Sequence, residues 1–440
     1  MKFKLTNSEK KWVWYDVGNS AFTLLVCTII PIYFNTLAEN AGISETDYLA
    51  YFGYATSAST LLVALMGPTL GTLSDISGLR KKIFSVMVLI GAAGCIILSF
   101  ISSWLWFLLL FVIAKSAYSV SLVIYDSMLG DVTSPERMDE VSSYGYGLGY
   151  IGSCAPFILS LIPVILAMQG MLSQAVAMPI AFIIVAVWWV GFSVPLWKDY
   201  RQIHFVDSAS HPVKTGAKNL AKVFKELWHE KKILFFLIAF FCYIDGVYTI
   251  IDMATAYGQS LGLDTTMLLI ALLVTQIVAF PSAIMLGKLS RSVRIEIIIG
   301  ICIAAYLGIS VYAIFLNEIY EFWILAICVG LFQGTIQALS RSYYAKIIPL
   351  EKSGEYFGVY DIFGKGAAFT GTLLVSIVTQ ATDNQNYGVG SLAVMFALGI
   401  AFFILAVRCK DKTAAEHSSV DSPSGERVEI AAASGDVSDE

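Results

Sequence analysis

The chain has 440 residues, of which 57% are hydrophobic and only 14% charged. Ordinary soluble domains are about 45–50% apolar and about 25% charged, so this composition excludes a string of soluble domains, a disordered chain and a disulfide scaffold. A mean hydropathy of +0.72 leaves a polytopic all-α membrane protein, and a net charge of −5 is too small to indicate a nucleic-acid partner.

A helix needs about 20 apolar residues to cross the hydrocarbon. Twelve runs qualify, approximately 14–37, 49–70, 82–102, 104–127, 142–168, 175–197, 233–257, 265–287, 295–316, 321–345, 355–380 and 389–408. The first is not read as a cleaved leader, because it carries Asp16 and Asn19 and exceeds a 7–15-residue signal core. Of 28 basic residues, 26 lie in alternate connections or at their helix ends, and the intervening connections contain none. The positive-inside rule then places both termini in the cytoplasm. Residues 198–232 carry eight Lys/Arg and read as a basic cytoplasmic linker. It separates a six-helix bundle over 1–197 from a second over 233–408, and 409–440 reads as a disordered tail.

The two halves align at an offset near 215 residues. Gly71–Asp75 matches Gly287–Arg291, Glu140 matches Glu355 and Gly149 matches Gly364. Equal helix parity makes this a parallel repeat, the arrangement of the halves of major facilitator transporters.

Cys27, Cys95, Cys154, Cys242, Cys302 and Cys328 sit in apolar runs, Cys409 follows the last, and no C-x-x-C occurs. They read as small hydrophobes. The four histidines fall in hydrophilic segments, so no membrane-depth metal site is expected. Gly147-Leu-Gly149-Tyr-Ile-Gly152 spells G-x-G-x-x-G but lies within a span, where glycines permit close helix packing rather than dinucleotide binding. Around Lys365 the spacing does not fit a phosphate-binding loop. No cofactor and no enzymatic activity are expected.

Polar residues at membrane depth are costly and usually face a cavity or a partner. One stripe per helix is legible: Asp16, Asn19, Ser20 and Thr23 in run 1; Lys115, Tyr118 and Ser119 in run 4; Asp245, Tyr248, Thr249 and Asp252 in run 7; Gln333, Gln337 and Arg341 in run 10. Lys115 and Asp245 lie roughly 16–18 Å deep from opposite sides, near one midplane. Lys115 is a candidate for a substrate carboxylate and Asp245 for an ammonium. Asn19, Tyr118, Tyr248, Gln333 and Gln337 are candidate neutral partners. Without substrate the two charges are expected to pair with each other. Asp245, Asp252 and Asp361 are candidates for proton coupling, and Asp361 with Lys365 forms an i, i+4 ion pair.

Gly71-Thr-Leu-Ser-Asp75-Ile-Ser-Gly78-Leu-Arg80-Lys81-Lys82 resembles the major facilitator loop signature G-x-L-x-D-x-x-G-R-K-x, with the Arg-Lys pair one place late. Asp75 is expected to face the positive end of a neighbouring helix, with the basic cluster in the cytosol. Trp12-Val-Trp-Tyr15-Asp16-Val-Gly18-Asn19-Ser20-Ala21-Phe22, Pro31-Ile-Tyr33-Phe34, Tyr125-Asp126, Asp245-Gly246, Gln337 to Ser342, Glu355 to Gly358 and Gly364-Lys365 occur in order over 12–408. Together they resemble one subgroup, the "unknown major facilitator" family that includes the fungal autophagy-related vacuolar amino-acid effluxers.

The resemblance implies a secondary transporter working by alternating access on a small-molecule substrate, with amino acids or related zwitterions foremost, and efflux as the direction. A multi-pass protein of a bacterial plasma (inner) membrane, embedded in lipid bilayer as a monomer with a coupled proton, is the expected setting. The alternatives are an exporter of amphipathic compounds, suggested by the 13% aromatic content, and a non-transporting membrane receptor or scaffold.

Overall fold

A computed structural model describes residues 3–206, 225–260, 265–316 and 318–409. The tail beyond 409, most of the linker, and the side chains of Asp252 and Lys365 lie outside the described residues.

The first half contains α1 (Asn7–Cys27), α2 (Ile29–Asn40), α3 (Glu45–Ser74), α4 (Leu79–Leu98), α5 (Trp104–Ser127), the single turn α6 (Leu129–Val132), α7 (Met138–Met168) and α8 (Gln174–Asp199). The second contains α9 (Lys231–Ser260), α10 (Thr265–Leu289), α11 (Ile295–Ala313), α12 (Ile319–Ile347), α13 (Ser353–Thr382), α14 (Gln385–Gly390) and α15 (Leu392–Arg408). Among the described residues, eleven helical segments are long and apolar enough to cross a membrane, with α1–α2 and α14–α15 each acting as one span. The remaining long helix, α13, packs between α3 and α9. The twelve expected spans are therefore all helical. Among the described residues the only β pairing is an isolated bridge between Ile76 and Val206.

The first span starts about seven residues earlier than its apolar run suggests. Thr6 and Glu9 form a reciprocal capping box, which satisfies two free backbone donors at the start of α1. The same Glu9 accepts from the Thr133 hydroxyl and from Arg137, tying the start of α1 to the start of α7. The span breaks at Thr28, whose hydroxyl turns back to the Leu24 carbonyl.

Within each half, aromatic side chains fill the core. Trp12 stacks on Tyr125 at 4.4 Å in the first, and Phe240 stacks on Tyr360 at 4.1 Å in the second. Large apolar residues such as Leu61, Leu89, Trp106, Met285 and Ile301 instead lie exposed on outer helix faces, as expected where lipid replaces water. Glycines allow the tightest crossings. Gly147 abuts Phe280 and Ile284 of α10, while Gly149 and Gly152 abut Asp16, Ser20 and Val17 of α1. The G-x-G-x-x-G stretch is thus a double packing surface.

The halves meet through α3 with α13, α7 with α10 and α12, and α5 with α13. The end of the molecule at which α1 begins, the N-terminal face, holds most of the named polar contacts between halves.

Candidate functional site

At the N-terminal face, Asp75 caps α3 and its carboxylate reaches across to the other half. It accepts from the Gly354 N–H at 2.8 Å and the Glu355 N–H at 2.9 Å, the first turn of α13. Free N–H groups and the helix dipole make that turn electropositive, so the expected helix-end contact is present. A Cβ on Gly71 would stand 2.2 Å from the Gly354 carbonyl oxygen. Only glycine admits this approach. Gly78 adopts φ 72°, a left-handed turn conformation that glycine holds without strain.

Within the basic cluster, Arg80 turns inward. It is fully buried and pairs with Asp75 at 2.6 Å and Asp131 at 2.7 Å. Two carboxylates offset the cost of desolvating one guanidinium. Lys81 stays near the surface and donates to the Lys198 carbonyl. Asp131 also takes the Tyr200 hydroxyl, the Ile203 N–H and the His204 N–H. The first residues of the linker therefore fold onto the loop between α3 and α4, where Gln202 bonds both the Gly78 N–H and the Ser74 carbonyl.

The second contact between halves is a plug. Arg341 of α12 is 2% exposed, and each of its named partners belongs to the first half. It donates to Asp16 at 3.2 Å, Asp126 at 3.0 Å and both the hydroxyl and carbonyl of Ser142. Trp12, Tyr125 and Tyr146 present their rings to its guanidinium at 4.3–5.5 Å. Two further ion pairs bridge the same face, Lys346 with Asp139 and Arg291 with Glu140. Ser142 donates to the Ala338 carbonyl and Ser353 to the Ser127 carbonyl. This face is closed.

Deeper, polar groups from several helices converge. Asn19 donates to Asp16 and to the Tyr15 carbonyl, and the Tyr118 hydroxyl meets Thr23 at 2.6 Å and Asn19 at 3.5 Å. Tyr150 donates across the halves to Gln337 at 2.8 Å. Tyr248 lies within electrostatic reach of Tyr118, Tyr146 and Tyr150. The structure thus brings Asn19, Tyr118, Tyr248 and Gln337 toward one region. It adds Tyr146 and Tyr150, which the sequence reading passed over because their stretch registered as glycine packing. Their i, i+4 spacing on α7 was the available signal.

Asp245 lies fully buried on α9. Its Oδ1 accepts from the Gly371 N–H at 2.9 Å and from Thr249, while Oδ2 has no partner among the described residues. The expected pairing with Lys115 is absent. Instead Gly371, whose missing Cβ lets the α13 backbone approach, holds one oxygen of this carboxylate. Lys115 is half-buried, its Nζ 5.7 Å from the Phe111 ring centroid. One turn beyond Asp245, Thr249 lines a cavity inside the second half with apolar walls including Ile250, Leu272, Phe322 and Val375. Gln276 and Gln333 also line it, each with a buried side-chain oxygen that has no hydrogen-bond partner among the described residues. Asp361 is half-buried on α13, close enough to Asp126 to repel it electrostatically. Its expected partner Lys365 and the coupling candidate Asp252 have side chains outside the described residues. No group of three or more metal-ligating side chains occurs among the described residues.

A family model described as "Vacuole effluxer Atg22 like" matches residues 6–416. The chain belongs to the Atg22-like family. An uncharacterized MFS-type transporter of Bacillus subtilis (strain 168), YxiO, is 40% identical over 405 residues, covering 91% of this chain and 95% of its own. Autophagy-related protein 22 of Eremothecium gossypii is 26% identical over 458 residues, covering 89% of each. Among solved structures, the transporter FucP in its outward conformation superposes with a TM-score of 0.72 at 12% identity, covering 92% of this chain and 98% of that one. A bacterial homologue of the iron transporter ferroportin, in an outward-facing state, gives 0.66 at 14% identity over 91% and 100%. The fold is the major facilitator fold. This Atg22-like chain is a multi-pass membrane transporter, not an enzyme.

The internal repeat of this Atg22-like chain has a physical expression at its closed face. Gly71 ends α3 against Gly354, and its counterpart Gly287 nears the end of α10 against Ser143 and Asp139. Asp75 contacts the start of α13 at Glu355, and its counterpart Arg291 pairs with Glu140 at the start of α7. The two contacts occupy matching places with opposite charge.

Proposed function

We propose that this protein exports small zwitterions, amino acids foremost, from a bacterial cytoplasm by alternating access, and that the closed N-terminal face is the cytoplasmic gate. The orientation rests on the basic residues, and the direction on the effluxer family. The observation that carries the substrate class is Asp245, a carboxylate buried mid-span, with one oxygen unpartnered among the described residues, one turn from Thr249 in the wall of a cavity. An ammonium fits that oxygen, and Lys115 in the facing half supplies a cation for a carboxylate. Tyr118, Tyr248, Gln333, Gln337 and Asn19 serve as neutral partners. The apolar cavity walls favour, as a second reading, an amphipathic cation that engages Asp245 without needing Lys115.

One substitution separates the two. Lys115→Ala should weaken binding of an apolar amino acid such as phenylalanine about tenfold or more, and leave its amide nearly unaffected, because only the former loses a charge-assisted bond. Thermal-shift titration of the purified protein reads both affinities, since ligand bound to the folded state raises apparent stability. Equal losses for both ligands, or none, would remove Lys115 from the site and leave the amphipathic reading.

Within this reading Asp75, with Gly71, Gly78, Arg80 and Lys81, forms a gating motif. Asp75→Asn should favour the cytoplasm-open form severalfold, because a carboxylate at a helix start contributes about 0.3–2 kcal/mol. Two-sided labelling of a cysteine at Ser143, in a background without native cysteines, would show the shift. Labelling identical to the parent would reject a gating role.

A further inference from the structure

The charged contacts of the closed face fare differently when the halves part. Asp75 and Asp131 keep Arg80, and Glu9 keeps Arg137, because both clusters lie wholly in the first half. Asp139 and Glu140 lose their cross-half cations, but both sit in the first turn of α7, where the helix dipole favours ionised carboxylates. Asp16 and Asp126 differ. Among the described residues they share no cation with their own half, and both contact one guanidinium, through its two terminal nitrogens.

We infer that Asp16 and Asp126 form a proton-binding site that fills when the N-terminal face opens and is emptied when Arg341 returns. This inference rests on the alternating-access reading above. Closed, one guanidinium faces two carboxylates. Withdrawal of Arg341 leaves two carboxylates in a pocket walled by Trp12, Tyr125 and Tyr146. Two carboxylates sharing such a site without a cation repel, which raises the proton affinity of one of them, and that one takes the proton. Among the described residues, the groups facing them add no compensating charge. Tyr125 and Tyr146 are neutral phenols, as are Tyr118 and Tyr150 beside Asp16 and Tyr360 beside Asp126, and Asp361 of α13, a carboxylate, lies near Asp126. Asn19 can donate to only one oxygen of Asp16. The proton comes from water admitted at the opened face, and it leaves when the guanidinium displaces it. The pH of that compartment therefore biases which face is open.

The sign follows from linkage. The open form binds one proton more than the closed form, so opening strengthens as pH falls, approaching tenfold per pH unit. The test uses the full-length protein in lipid nanodiscs, with spin labels at exposed positions 136 and 294 on the two halves of this face. Pulsed distance measurements from about pH 5.5 to 8.5 give the open fraction. The parent should show close to a one-proton slope. Asp16→Asn and Asp126→Asn should each flatten it, because the remaining carboxylate stays ionised alone, whereas Asp126→Glu should preserve it. Opening that does not depend on pH, or an unchanged slope in both asparagine variants, overturns the inference and leaves alternating access standing. A single distance at every pH in parent and variants alike overturns alternating access itself, and the inference with it.

Discussion

Arg341→Gln is expected to release the N-terminal face. The variant keeps length and polarity but leaves Asp16 and Asp126, now without their shared cation, buried together in the closed form. Breaking a buried ion pair from one side costs about 3–5 kcal/mol, roughly two to three orders of magnitude in a two-state equilibrium. The equilibrium should shift toward the open form by about that factor, and the Ser143 cysteine reporter should label more from that side. Neutralising all three positions with Arg341→Gln, Asp16→Asn and Asp126→Asn should restore much of the closure, because no uncompensated charge then remains. An Arg341→Gln protein whose reporter stays protected would show that the plug does not hold the gate.

Gly71→Ala should act on the same equilibrium by a different physics. A methyl group at Gly71 would collide with backbone, 2.2 Å from the Gly354 oxygen and 2.7 Å from its carbonyl carbon. Backbone cannot rotate away as a side chain can, so α3 and α13 must separate. Overpacking of this kind costs about 1–3 kcal/mol, charged to the closed form alone. Gly53 lies on the same helix with nothing within 4 Å of its would-be Cβ. Gly53→Ala should leave the equilibrium unchanged and serve as the control for helix propensity. Equal reporter accessibility in the two alanine variants would show that the α3–α13 approach is not needed for closure.

How much of this was legible in the sequence depended on the range of the forces involved. Hydrophobic run length gave the twelve helices, because a span has to match a hydrocarbon slab and its composition is a local property. The repeat pointed to two like halves. Glycine spacing indicated close helix approach, and Asp75 was correctly aimed at a helix start, since the chemistry of a motif is carried by neighbours in sequence. The start of α1 was missed, because the Thr6–Glu9 capping box lies outside the apolar run that defined the span.

What the sequence could not supply was partners distant along the chain. Arg341 was placed on a polar stripe, but nothing local says that it leaves its own half to sit between Asp16 and Asp126. Those two residues come from different helices, more than two hundred residues away in the sequence. Arg80 read as one member of a cytosolic basic cluster, and nothing adjacent in the chain marks Asp131 as its buried partner. Lys115 and Asp245 matched in depth, yet depth is one coordinate of three. The third helix that claims Asp245 does so through the N–H of Gly371, a glycine with no polar side chain to mark it. Helix identity is decided by residues adjacent in the chain, whereas the partner of a buried charge is decided by which backbones approach it, and only the packed halves fix that.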